Sequence, residues 1–135
     1  MIEDDEEFRV FTLVEARSLI PTLRRLLAHM AKSRDRLLDL RVEIDLAREN
    51  ARYGGGSTVG PLYLKHMLEF TEAIQEIQTL GVQVKDFGKG LIDFPYEYEG
   101  RIVLLCWKPD EDEINWWHET DAGFGGRQPL TDEFK

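Results

Sequence analysis

His118 stands in the run Trp116-Trp117-His118-Glu119, with Asp121 just beyond it. A neutral imidazole with carboxylates nearby suits a divalent cation such as zinc or manganese. The same groups suit acid–base work, in which a carboxylate orients the ring while the ring moves a proton. Asp93, His118, Glu119 and Asp121 are therefore the candidate metal ligands. No HxH or HExxH spacing supports them, and the residue pattern favours a plain structural hydrogen bond from His118 to a carboxylate. The one cysteine, Cys106, lies between Leu105 and Trp107, where a thiol normally serves as a small hydrophobe rather than a nucleophile. Trp107 and Trp117 could form a ligand platform, but clustered tryptophans are more often sheet core. Arg127 is a cation in an acid-rich region; pairing with an acid would pin the tail, and anion binding is the lesser alternative.

The elements that must position these residues begin with helices. Thr12-Leu13-Val14-Glu15 has capping-box spacing, which starts a helix at Leu13. Pro21 lacks an amide and is expected to kink or restart that helix. An apolar stripe then runs Leu19, Leu23, Leu26, Met30, Ser33, Leu37, Leu40, Ile44, Ala47, Ala51 in alternating steps of four and three, the period of a coiled-coil seam. Ser33 is its polar interruption. The glycines of Tyr53–Thr58 predict a break and a mobile loop. Gly60-Pro61 opens a second helix with the stripe Tyr63, Met67, Phe70, Ile74, Ile77, and Gly81 closes it. Two such helices form an antiparallel hairpin over 13–80. At 1.5 Å per residue Leu13–Asn50 spans about 57 Å and Pro61–Leu80 about 30 Å, so the first helix has stripe to spare. A second copy of the chain, or the C-terminal sheet, is expected to cover it.

After Gly81 the pattern becomes strand-like. Val82–Lys85, Leu91–Phe94, Ile102–Trp107 and Ile114–Glu119 predict a three- or four-stranded antiparallel meander over 82–121, with Pro95–Gly100 and Pro109–Glu113 as turns. Ile102–Trp107 is apolar on both faces and reads as the central strand. If Lys108 faces Ile114, then Cys106 faces Trp116 and Leu104 faces His118. If Phe94 faces Arg101, then Asp93 faces Ile102. Asp93, Cys106, Trp116 and His118 would then share one face, with Trp107, Trp117 and Glu119 on the other; a slip of one residue would undo this. Residues 122–135 are glycine-rich and expected to be irregular.

Composition narrows the function classes. A chain of 135 residues fits one domain, 1–135, and its single cysteine permits no internal disulfide, which fits a reducing cytoplasm. No apolar run approaches the roughly 18 residues of a membrane span. Residues 93–121 hold nine acids against two basic residues, so a polyanion would be repelled and nucleic-acid binding is not expected. The mixed charges along the first helix read as a solvated face.

Gly90-Leu91-Ile92-Asp93-Phe94-Pro95, Leu105-Cys106-Trp107, Trp117-His118-Glu119, Gly123-Phe124 and Gly126-Arg127-Gln128-Pro129-Leu130 together resemble the DUF2203 family of small bacterial proteins, as does the opening Phe11-Thr12-Leu13-Val14-Glu15-Ala16 with Leu19-Ile20-Pro21. The resemblance spans nearly the whole chain and implies no activity. The resulting expectation is an α+β protein, a long helical hairpin followed by a small antiparallel sheet, that self-associates through its first helix. Its leading function is non-enzymatic interaction in the cytoplasm. The competing expectation is a small metal-dependent enzyme with its site around His118.

Overall fold

The computed structural model describes residues 9–51 and 59–135. The expected break at Tyr53–Thr58 lies outside the described residues. Long helices precede an antiparallel sheet, so the architecture is α+β. The chain divides into two compact units, Met1–Arg25 with Ile77–Lys135, and Leu26–Glu76.

In the first unit, α1 covers Leu13–Ser18 and starts where the capping box places it. The Thr12 hydroxyl oxygen accepts the Glu15 N–H at 3.0 Å and the Glu15 carboxylate accepts the Thr12 N–H at 2.9 Å, so two otherwise orphaned helix donors are satisfied. The helix stops at Leu19, and α2, Ile20–Ala51, restarts with Pro21 in its first turn, where a missing amide costs nothing. The closing helix α3 covers Val59–Thr79. Gly81 follows it at φ 92°, with its N–H on the Gln78 carbonyl. A Cβ there would need left-handed strain and would lie 2.8 Å from the Arg9 side chain, so glycine is required.

Five strands form the sheet rather than three or four: β1 Gln83–Asp86, β2 Leu91–Tyr98, β3 Arg101–Trp107, β4 Trp116–Glu119 and β5 Gln128–Pro129, in that spatial order. The fifth comes from the tail expected to be irregular, where Gln128 pairs with Trp117 and Pro129 with Trp116. Two residues are too few to show a period of two, so this strand exists through its partner rather than its own pattern.

Pro95 lies inside a strand. It was expected to open a turn, yet β2 runs through it to Tyr98, and the turn is the pair Glu99-Gly100. Both turn residues have positive φ, 52° and 79°, as a tight hairpin turn matching the strand twist requires. Pro95 is tolerated because its carbonyl accepts the Phe11 N–H at 2.8 Å, which puts its missing amide on the side away from β3. β1 reaches only as far as Asp93, so no sheet ladder needs that amide.

Opposed residues place Ile92, Phe94, Tyr96, Val103, Leu105, Trp107 and Trp117 on one face of the sheet. Phe11 meets Phe94 edge-to-face at 5.4 Å, and Phe134 stacks on Tyr98 at 4.6 Å. Arg24 lies over Trp107 and donates to the carbonyls of Pro109 and Glu111. The start of α2 and the chain's last residues thus anchor on this face. β3 is buried through Trp107, as expected of the central strand.

In the second unit, Leu26, Met30 and the polar interruption Ser33 are buried, while Leu37, Leu40 and Ile44 are half-buried. On α3, Ala73 is buried and Tyr63, Phe70 and Ile74 are half-buried. Burial therefore fades along the α2 stripe.

Candidate functional site

The other face of the sheet carries Asp93, Pro95, Leu104, Cys106, Trp116 and His118. β3 pairs with β4 as Leu104 to His118 and Cys106 to Trp116, the register expected from the sequence. β2 pairs differently: Asp93 faces Cys106 rather than Ile102. The displacement is four residues along β3. Because side chains alternate with a period of two, an even displacement keeps every residue on its expected face while bringing Asp93 next to Cys106.

His118 Nε2 is 3.0 Å from Asp93 Oδ2, and its Nδ1 is 2.7 Å from the Glu119 carbonyl oxygen. A carbonyl can only accept, so Nδ1 carries the proton and the tautomer is determined by the backbone. Cys106 completes the cluster: one ligand atom each from Asp93, Cys106 and His118 lie within 4.8 Å of one another. All three are buried, at 0%, 0% and 3% exposure. Burial raises the Asp93 pKa above the usual carboxylate value, against the opposing pull of His118. Burial, with Asp93 adding to it, pushes the Cys106 thiol up to about 11. The thiol is thus held protonated, which suits the inert reading of a mid-strand cysteine. Both imidazole nitrogens are committed, one to Asp93 and one to backbone, so neither is left to take a proton from Cys106.

The remaining candidates lie elsewhere. Glu119 alternates to the opposite face and accepts from Arg101 Nε at 3.0 Å and Nη2 at 2.6 Å, which lowers its pKa. Asp121 is exposed in the turn after β4. Neither joins the cluster, because strand alternation removes the first and the strand's end removes the second. Trp107 is fully buried, its Nε1–H donating to the Glu111 carbonyl at 3.0 Å. Trp117 is 7% exposed and sits between Tyr98 and Phe134. Both tryptophans are core.

Arg127 makes two 2.8 Å hydrogen bonds to the Glu111 carboxylate and lies 4.5 Å from the Phe124 ring centre. It also reaches the Cys106 carbonyl at 3.5 Å. Burial is the largest single influence and opposes its charge, but Glu111 and Cys106 together outweigh it and raise the Arg127 pKa. Glu111 escaped notice in the sequence as one of four consecutive acids in a turn. It gathers Arg127, Arg24, Trp107 and the Lys108 N–H through its carboxylate and carbonyl. Nothing in its immediate neighbours distinguishes it from Asp110 or Asp112.

The family model described as "Uncharacterized conserved protein (DUF2203)" matches residues 9–130. The chain belongs to the DUF2203 family. No curated protein and no solved structure matches it. The matched stretch includes the motifs from Gly90 to Leu130, and membership carries no activity with it. In this DUF2203 chain those motifs supply Asp93, Cys106, His118 and Arg127, which converge on one face of β2–β4 and its rim.

A second feature lies in the Leu26–Glu76 unit. Leu38, Val42 and Leu46 follow one another every four residues on α2 at 56%, 65% and 59% exposure. On α3, Leu64 and Leu68 have the same spacing at 58% and 54%. The exposed apolar line on α2 is thus displaced by one or two residues from the Leu37–Leu40–Ile44 seam. No helix among the described residues is long and apolar enough to cross a membrane.

Proposed function

We propose that this protein is a non-enzymatic, homo-oligomerising interaction protein that associates through α2. The observation carrying this reading is the line Leu38, Val42, Leu46, three large apolar side chains more than half exposed on one side of a long helix. Single exposed leucines are ordinary, but an ordered line at helical spacing marks an interaction surface. Leu64 and Leu68 add apolar area from the same unit. Fully burying a Leu contributes about 1.5–3 kcal/mol, so five half-exposed side chains from each copy contribute on the order of 10 kcal/mol. Against the roughly 4–15 kcal/mol that association costs in lost freedom, the surplus is at most about 6 kcal/mol, so these side chains alone give a weak dimer and micromolar association requires the rest of the α2 surface to contribute. Residues 34–49 hold four basic and five acidic side chains, so a second copy meets no strong like-charge repulsion.

The competing reading, a metal-dependent enzyme around Asp93, His118, Glu119 and Asp121, has less support. A catalytic metal needs an open coordination position, whereas Asp93 and His118 are buried and Glu119 is engaged by Arg101. A cytoplasmic location accompanies the proposal, since Cys106 is a free thiol.

Light scattering coupled to size exclusion tests the proposal. Wild type should run as a dimer or larger at micromolar concentration, and Leu38→Glu/Val42→Glu/Leu46→Glu should run as a monomer with unchanged helical circular dichroism. A wild type that stays monomeric at several hundred micromolar would refute it.

A further inference from the structure

We infer that Asp93, Cys106 and His118 form a closed structural site for a divalent transition metal of the zinc class, held between β2, β3 and β4. The donor set is mixed oxygen, sulfur and nitrogen, which suits zinc or cobalt(II) better than the all-oxygen preference of magnesium or calcium. Zinc bonds of about 2.0–2.3 Å at the tetrahedral angle put neighbouring donor atoms roughly 3.3–3.6 Å apart. Here Asp93 Oδ2 and His118 Nε2 are 3.0 Å apart and the three donor atoms lie within 4.8 Å. Side-chain adjustments of a few tenths of an ångström to about one ångström reach the bound geometry.

Three further observations point to a cation. The first is orientation: the Glu119 carbonyl takes Nδ1–H, so Nε2 is the nitrogen aimed at Asp93. Metal-bound histidines are held in this manner by an outer hydrogen bond. The second is an unpartnered atom. Asp93 Oδ1 is fully enclosed and makes no well-formed hydrogen bond; besides His118, the carboxylate has only the weak thiol donor of Cys106 acting on it among the described side chains. A buried carboxylate oxygen left alone is costly, and a metal held by both Asp93 oxygens, Cys106 Sγ and His118 Nε2 would have four donors and leave none orphaned. The third is charge. A dication with one carboxylate, one thiolate and one neutral imidazole is neutral overall, as a buried site should be. Arg127, the nearby cation, is already neutralised by Glu111. Binding displaces the proton shared between His118 Nε2 and Asp93 together with the Cys106 thiol proton, and both go to solvent.

A nucleophile–base reading of the same three residues fails on connectivity. The ring has no nitrogen free for Cys106, and the cluster is closed to solvent. The site would tie three consecutive strands together, and its role is structural rather than catalytic.

Cobalt(II) is the probe. Full-length protein, stripped with chelator and kept reduced, should bind one cobalt(II) per chain, with visible bands of a four-coordinate site distorted from tetrahedral by the narrow carboxylate bite and with the thiolate charge-transfer band of a cobalt–sulfur bond. Zinc should displace it one for one and raise the melting temperature. Cys106→Ser should abolish the charge-transfer band, and His118→Gln and Asp93→Asn should each weaken binding at least 10-fold. Glu119→Gln and Asp121→Asn lie outside the cluster and should bind as wild type does. X-ray absorption of the zinc-loaded wild type should show one sulfur neighbour, a readout that survives if a variant fails to fold. Folded wild type that binds neither metal, a zinc shell without sulfur, or a charge-transfer band that persists in Cys106→Ser would overturn the inference.

Discussion

Removing Arg127 should destabilise the sheet unit far more than removing a surface arginine. Arg127 and Glu111 form a bidentate pair with side chains only 14% and 17% exposed. Breaking a buried pair by deleting one partner costs about 3–5 kcal/mol, chiefly because the other charge is left desolvated. The residual exposure puts Arg127→Met near the lower end, about 3 kcal/mol, despite the apolar stem that methionine retains. Arg101 and Glu119 offer an internal comparison: their pair is also two-pronged, but 42% and 35% exposed. Water screens it, so Arg101→Met should cost far less than Arg127→Met. Urea unfolding followed by tryptophan fluorescence reads both variants, since Trp107, Trp116 and Trp117 lie in the same unit. With a slope of about 2 kcal/mol per molar urea, the Arg127 variant should shift the midpoint by roughly 1.5 M and the Arg101 variant by clearly less. A cycle of Arg127→Met, Glu111→Gln and the double variant isolates the pair, and raised salt should leave its coupling largely intact. An Arg127→Met midpoint within experimental error of wild type, with no coupling in the cycle, would refute the reasoning.

Tyr98 should titrate late: its hydroxyl donates to Glu133 at 2.6 Å, and that bond, with burial second, pushes its pKa to about 12. A folded pKa above the unfolded value of about 10 gives stability that is present below pH 10 and lost as pH rises toward 12. Ultraviolet phenolate titration should show that delay, and Glu133→Gln should remove most of it. Thr12→Ala deletes one half of the capping box and should cost about 0.5–2 kcal/mol in thermal unfolding. Phe11→Ala, at 2% exposure and edge-on to Phe94, should cost about 3–5 kcal/mol in the same assay; equal losses at the two sites would contradict the packing described.

The α+β class, the α1 start at Leu13, the restart at Pro21, the end of the second long helix near Gly81 and the pairing of β3 with β4 could all be read from local chemistry. Caps, proline and strand alternation act within a few residues, so their signals are in the sequence itself. Face assignment for Asp93, Cys106, Trp116 and His118 was equally legible, and it survived a wrong β2–β3 pairing only because the displacement was even.

What the tertiary structure alone decided is which of those residues touch. A type of turn that accepts Glu99 at positive φ carried β2 through Pro95, and the Phe11 segment made that possible by taking the proline's carbonyl. Four extra strand residues then set Asp93 opposite Cys106 and within 3.0 Å of His118. Glu119 and Asp121 are closer to His118 in sequence, yet alternation and the end of β4 removed them. Glu111 became the partner of Arg127 across 16 residues, and β5 formed only because β4 offered it an edge. Such contacts depend on long-range closure of the chain, and no local propensity records them.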